Sequence, residues 1–154
     1  MNNAISFPTV IGHISIIEEN DSIIAVSFTQ IQQPCYNLTE TPLLREAATE
    51  ISAFLNGKLK TFSIPYKLHG TCFQEKVWSA LMTIPYGETC TYKDIAELID
   101  QPKAYRAVGN ANNKNNLPLI IPCHRVIGSN NKPVGYNGGL QIKEYLLNLE
   151  TKTR

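Results

Sequence analysis

No run of apolar residues in this chain comes near the roughly 20 needed to cross a bilayer, and no basic start followed by an apolar stretch opens it. The expectation is a cytoplasmic protein without membrane contact. Cysteine is sparse: Cys35, Cys72, Cys90 and Cys123 are irregularly spaced with no C-x-x-C pair, which argues against a zinc finger and gives no disulfide framework. His13, His69 and His124 are equally scattered, so neither a metal nor a cofactor is expected. Internal repeats and low-complexity segments are missing as well. The most informative absence is of acid. Residues 1–66 carry three basic and six acidic side chains, residues 67–154 eleven and seven. Within the second part the 43 residues 101–143 hold Lys103, Arg106, Lys114, Arg125, Lys132 and Lys143 and no carboxylate. A stretch of that kind suits a polyanionic partner, and nucleic acid is the leading candidate.

What is present reads as two small domains in 154 residues, 1–66 and 67–154. Residues 11–17 and 22–28 are β-branched runs around Glu18-Glu19-Asn20-Asp21, which predicts a hairpin. Leu43, Ala47, Ile51 and Phe54 or Leu55 recur at helical spacing, closed by Asn56-Gly57, and residues 61–64 read as a returning strand. This first part is an α/β scaffold without catalytic residues of its own. Residues 65–70 are the linker.

Beyond it, residues 74–82 predict a helix with Val77, Trp78 and Leu81 inward, and Thr91-x-x-Asp94 opens a second in the manner of a capping box. Asp100-Gln101 breaks the chain, and Pro102 suits the first position of a third helix, giving a helix-turn-helix. In that third helix Ala104, Ala107, Val108 and Ala111 form a small-residue packing stripe, leaving Tyr105, Arg106, Gly109 and Asn110 on the other face. Arg106 projects outward, as in a recognition helix. Residues 129–132 read as a surface turn, and Gly135-Tyr136-Asn137-Gly138-Gly139 as a loop of close backbone approach. A last helix shows Ile142, Tyr145, Leu146 and Leu149 at i, i+3, i+4 and i+7, with Glu150 at its end.

Between two apolar runs stands Pro122-Cys123-His124-Arg125-Val126. Pro122 biases Ile121 towards an extended backbone, so a strand ending at Cys123 is the local expectation. An isolated cysteine is most often a small buried hydrophobe. Here a histidine and an arginine beside the thiol can favour the thiolate, its nucleophilic form. Adjacent side chains diverge, so His124 would reach the thiol proton through a bridging water.

This pentapeptide resembles the active-site motif of the O6-alkylguanine-DNA alkyltransferases, also called methylated-DNA-protein-cysteine methyltransferases. The resemblance extends through Gly70-Thr71-x-Phe73-Gln74, Pro85-x-Gly87-x-x-x-Tyr92, Arg106-Ala107-Val108-Gly109, Gly135-Tyr136-x-Gly138-Gly139 and Lys143-Glu144-x-Leu146-Leu147, in order and at family-like spacing. It implies an α+β fold: a small ribonuclease H-like α/β domain, then a mainly helical, winged-helix-like domain carrying the helix-turn-helix.

The resemblance also implies a function. A monomer would dock in the minor groove of alkylated double-stranded DNA, flip the damaged base out of the stack and move the alkyl group of O6-methylguanine, or of O4-methylthymine, irreversibly to Cys123 in a single turnover. His124 would deprotonate Cys123 through a water, with Glu150 orienting His124, Tyr92 contacting the base and Asn115 tying the recognition region to the active-site loop. Arg106 would fill the vacated space in the duplex, with Tyr105, Tyr92, Gly109, Asn110 and Arg125 also on DNA, and Val126, Tyr136 and Asn137 would line the pocket. Asn137, Asn116 and the bulky Tyr105 depart from the family's usual residues. Three other classes compete with this reading: a protein that binds alkylated DNA without repairing it, which Cys123 speaks against, a helix-turn-helix regulator, which leaves Pro-Cys-His-Arg unexplained, and a Cys-His peptidase.

Overall fold

A computed structural model describes residues 1–31, 35–130 and 134–154; Lys132 and the end of the turn expected at 129–132 lie outside them. The chain divides into two units, Met1–Leu68 and His69–Arg154.

The first unit is an antiparallel sheet of β1 (Asn3–Thr9), β2 (Gly12–Glu19) and β3 (Ser22–Ser27) in that order, with helix α1 (Pro42–Leu55) against all three strands. The expected hairpin is β2–β3. It turns on Asn20 and Asp21 at φ 49° and 63°, left-handed positions that these residue types tolerate and that match the strands' twist. Strand β1 has no counterpart in the sequence reading, because Phe7-Pro8 breaks its alternation; it pairs with β2 from Asn3↔Glu18 to Thr9↔Gly12. Thr41 caps α1 by accepting from Leu44 N at 3.2 Å, and Leu44, Ala47, Ile51, Phe54 and Leu55 form its buried face. Residues 61–64 do not return as a strand. Ser63 N donates to Glu50 of α1 at 2.9 Å, and pairing with the sheet begins only at the Ile23↔Tyr66 bridge.

The second unit contains α2 (Cys72–Leu81), β4 (Cys90–Thr91), α3 (Tyr92–Leu98), α4 (Tyr105–Asn113), a 3₁₀ turn (Cys123–Arg125), β5 (Val126–Ile127) and α5 (Leu140–Thr153). Thr71 and Thr91 each form a complete capping box, with Gln74 and Asp94, fixing the starts of α2 and α3. Val77, Trp78, Leu81, Ile95, Val108, Ala111, Ile121, Val126 and Leu146 make up much of its core. Trp78 Nε1 donates to Ala111 O at 2.8 Å, pinning α2 to α4. Gly70 lies so close to the Trp78 ring that a Cβ would stand 2.5 Å from it, so only glycine fits. No described helix is long and apolar enough to cross a membrane.

Two helix faces differ from expectation. Helix α4 starts at Tyr105, beyond Pro102, and buries Val108, Ala111 and Asn112, while Ala107 is exposed. Helix α5 buries Lys143, Leu146 and Glu150, with Ile142 and Leu149 only half-buried and Tyr145 exposed. Two charges thus occupy the stripe that apolar spacing assigned elsewhere.

Candidate active site around Cys123

The approach to Cys123 is a tight turn and not the expected strand. Ile121 N returns to Leu117 O at 2.9 Å, with the buried Leu119 at φ 75°, a left-handed conformation costly for a branched side chain. The strand follows the cysteine instead. Strand β5 runs parallel to β4 in the register Cys90↔Val126 and Thr91↔Ile127, which brings the start of α3, and with it Tyr92, to the nucleophile.

Two asparagines hold the turn. Asn115 accepts from Leu117 N at 2.9 Å and donates to Ile121 O at 3.0 Å. Asn112, on α4 and 1% exposed, donates to Cys123 O at 3.3 Å, and its Oδ1 has no hydrogen-bond partner among the described residues. Cys123 itself is buried. Desolvation pushes its thiol from 9.0 up to about 11, against hydrogen bonds from Asn115 and Tyr136 and the Lys143 charge, all of which favour the thiolate. The resting site therefore holds a thiol.

His124 is fully buried, and its Nε2 lies 2.6 Å from Glu150 Oε2. Burial lowers its pKa, while the hydrogen bond and charge of Glu150 work the other way. Burial alone would raise the pKa of Glu150, yet hydrogen bonds from His124 and Arg125 and their charges hold it down at about 2. With the carboxylate ionised and the imidazole neutral, Nε2 carries the proton and donates, so Nδ1 is the basic atom.

Arg125 corrects an expectation. The resemblance implies a DNA contact, but Arg125 is 7% exposed and turned inward. Its Nε and Nη2 donate to Glu150 at 2.8 and 3.0 Å and its Nη1 to Ile84 O at 2.9 Å, with the Tyr86 ring 5.4 Å away. The bidentate, charge-assisted pair with Glu150 gives the guanidinium the partner that a buried charge requires. Gly87 N adds a further bond to Glu150 at 3.1 Å.

The remaining site residues are distributed as follows. Tyr92 is half-buried and feels the Cys123 charge, while its hydroxyl donates to Val134 O at 3.1 Å. Tyr136 touches the thiol, and burial raises its pKa well above the ordinary value. Val126 is fully buried, and Asn137 Nδ2 points to Asn115 O at 3.5 Å. Arg106, Asn110 and Tyr105 are exposed along α4, with the Lys93 ammonium 5.6 Å over the Tyr105 ring. Gly109 is half-buried, with the Tyr92 ring 3.9 Å from where a Cβ would stand. Among the described residues no cluster of three His, Cys, Asp or Glu side chains could hold a metal.

Sequence reasoning passed over two residues. Lys143 is fully buried and donates to Val126 O, Val134 O and Gly135 O at 2.5, 2.9 and 3.2 Å. Its i, i+3, i+7 spacing with Leu146 and Glu150 was a usable signal. Asn112 carried no such signal, standing as it does in a run of asparagines.

The description "6-O-methylguanine DNA methyltransferase, ribonuclease-like domain" matches residues 5–68, and "6-O-methylguanine DNA methyltransferase, DNA binding domain" matches residues 72–152. The chain belongs to the 6-O-methylguanine DNA methyltransferase family. Among relatives, the constitutive methylated-DNA–protein-cysteine methyltransferase of Bacillus subtilis is 44% identical over 97% of this chain and 96% of its own. The Methanosarcina barkeri protein of the same class is 53% identical over 79% of this chain and 77% of its own. The crystal structure of Mycobacterium tuberculosis OGT in complex with DNA is 37% identical, with a TM-score of 0.89 over 98% of this chain and 94% of that one. The expected α+β fold of a ribonuclease-like domain followed by a DNA-binding domain is the fold of this family.

Proposed function

We infer that this methyltransferase repairs DNA by moving an alkyl group from O6 of a damaged guanine onto its own Cys123. The observation that carries the assignment is the buried Cys123–His124–Glu150 arrangement, with the imidazole 2.6 Å from an ionised carboxylate and its basic nitrogen away from that carboxylate. In the reaction the Sγ proton passes through a water to His124 Nδ1, and Glu150 stabilises the imidazolium. The thiolate attacks the O6-alkyl carbon in line, the C–O bond breaks, and its electron pair goes to the guanine, which takes up one proton in exchange for the one lost by the thiol. A thioether is a very poor leaving group, so each molecule reacts once.

DNA is engaged through α3 and α4 in the minor groove, by one copy of the chain, with residues 1–66 as scaffold and residues 67–154 as the DNA-binding and alkyl-transfer domain. Arg106 enters the duplex where the base has left, and Tyr105 and Asn110 contact the backbone beside it. Tyr92 exchanges Val134 O for the extruded base, which packs against Val126, Tyr136 and Asn137. O4-methylthymine is a second substrate, and the protein works in the cytoplasm.

Intact-mass measurement after mixing with O6-methylguanine duplex tests this reading. The protein should gain one methyl group, located at Cys123, and Cys123→Ser should bind the duplex but gain nothing. Transfer to Cys35, Cys72 or Cys90, or binding of alkylated duplex by the unaltered protein without any mass gain, would overturn it.

A further inference from the structure

The first turn of α3 carries two side chains that lean on α4. The Tyr92 ring stands 3.9 Å from where a Cβ on Gly109 would be, and the Lys93 ammonium lies 5.6 Å over the Tyr105 ring, within cation–π range. Lys93 and Tyr105 are both exposed. Glu97 follows Lys93 at i+4 on the same helix, yet among the described residues no carboxylate is within ion-pair distance of Lys93. Asp94 is occupied by the helix cap, accepting from Thr91 N at 2.9 Å. The ammonium thus rests on an aromatic face with its charge left for a partner outside the chain.

Tyr105, Gly109 and Asn112 fall at i, i+4 and i+7 of α4 and share one face. That face starts at the exposed Tyr105, passes Tyr92 and ends at the nucleophile, where Asn112 donates to Cys123 O at 3.3 Å. Seven residues of helix rise about 10 Å, comparable with the reach of a single nucleotide from the edge of its base to its phosphate. A base whose edge meets Cys123 along this face sets its phosphate beside Tyr105 and Lys93.

We propose that Lys93 is a DNA-binding residue that takes the phosphate of the extruded nucleotide, with the Tyr105 ring holding its ammonium in place. This rests on the reading of the protein as one that extrudes an alkylated base towards Cys123. No carboxylate occurs between residues 101 and 143, so nothing on α4 competes with the phosphate for the ammonium. Tyr105 is bulkier than the family's usual residue, which makes the pair a feature of this chain.

The test is the rate of methyl transfer from O6-methylguanine duplex at subsaturating concentrations, followed by intact mass against salt. Lys93→Gln should slow transfer about five- to tenfold at about 0.1 M salt and lower the slope of log rate against log salt by about 1, the loss of one phosphate contact. Lys93→Arg and Tyr105→Phe, which keep the charge and the ring, should stay within about twofold of the parent. Tyr105→Leu should lose about threefold, and Lys93→Gln should cost less when added to it. Replacing the phosphates on either side of the lesion by uncharged methylphosphonates, one at a time, should identify one position that slows the parent about as much as Lys93→Gln and slows that variant no further.

A parental salt slope in Lys93→Gln would overturn the proposal. So would methylphosphonate penalties that add in full to that of Lys93→Gln, or an undiminished Lys93→Gln loss in the Tyr105→Leu background. Transfer from free O6-benzylguanine, which has no phosphate, should be unchanged in each variant; a loss there equal to that on duplex would also overturn the proposal, placing the pair in support of the fold. Failure of the parent to gain a methyl group from duplex would instead defeat the underlying reading, and it would show before any variant is made.

Discussion

The two units of this chain bury different things. The first closes its sheet and α1 over Ile14, Ile16, Ile23, Leu44, Ile51 and Phe54, and among its charged residues only Glu18 is buried, accepting from Asn3 Nδ2 at 3.2 Å. The second buries His124 and Arg125, next to the nucleophile in the chain, and Lys143 and Glu150 on α5. Apolar burial stabilises without direction, whereas buried charges hold only if every partner is in place. The contrast teaches that the first unit is organised for stability, and that the second gives up stability where its chemistry is done.

The sharpest way to break the contrast is to neutralise the buried carboxylate of each unit. Glu150→Gln leaves Arg125 buried without its anion and should destabilise the second unit by about 3 to 5 kcal/mol while abolishing transfer to Cys123. Glu18→Gln should cost under about 1 kcal/mol and leave transfer unchanged. Trp78, the single tryptophan, lies in the second unit and reports its denaturant unfolding by fluorescence. Similar losses in the two variants would erase the distinction.

Next comes the converse substitution in the first unit. Ile51→Ala opens a cavity under α1 and should cost about 2 to 5 kcal/mol, yet the folded molecules should modify Cys123 with iodoacetamide at the parental rate. A slowed thiol would mean that the first unit shapes the site.

Acid should weaken the second unit through Glu150. Glu150 titrates in the folded state at about 2 against an ordinary 4.5, so its stabilising contribution is complete above about pH 4.5 and is lost as the pH falls towards 2. Glutamine at position 150 should remove that acid dependence from the Trp78 signal. If it persists unchanged, other carboxylates are responsible.

The smallest effect on stability belongs to Arg106→Ala. An exposed side chain on α4 should change the unfolding free energy by no more than about 0.5 kcal/mol, while repair of duplex DNA falls and transfer from free O6-benzylguanine is nearly unaffected. Equal losses on both substrates would place Arg106 in support of the pocket.

Much of this was legible in the sequence where local chemistry decides the structure. Thr91 announces its helix because a cap is made within four residues, whereas the cap at Thr71 was passed over and its helix expected to start at 74 and not at Cys72; Asn20-Asp21 announces its hairpin because left-handed backbone favours those side chains. The face of α5 was not legible, since apolar spacing assumes that a helix buries its apolar residues, and Lys143 and Glu150 are held inside by acceptors and donors from other segments. Arg125 was misplaced for the same reason: nothing near it in sequence reveals Glu150 and Ile84 O as its partners. The turn at Leu119 escaped notice because a branched residue at positive φ runs against every local preference.

The depth of Cys123 has one further consequence, which concerns waiting time. A reagent that can be used once must survive until its target arrives, among many small electrophiles that would also accept a sulfur nucleophile. With the thiol pushed up to about 11 instead of 9.0, its thiolate fraction at neutral pH falls from about 1 in 100 to about 1 in 10,000. Idle modification by small electrophiles slows with it, and reagents unable to enter the pocket do not reach the sulfur. Burial, which looks like an obstacle to catalysis, sets the shelf life of the unused protein.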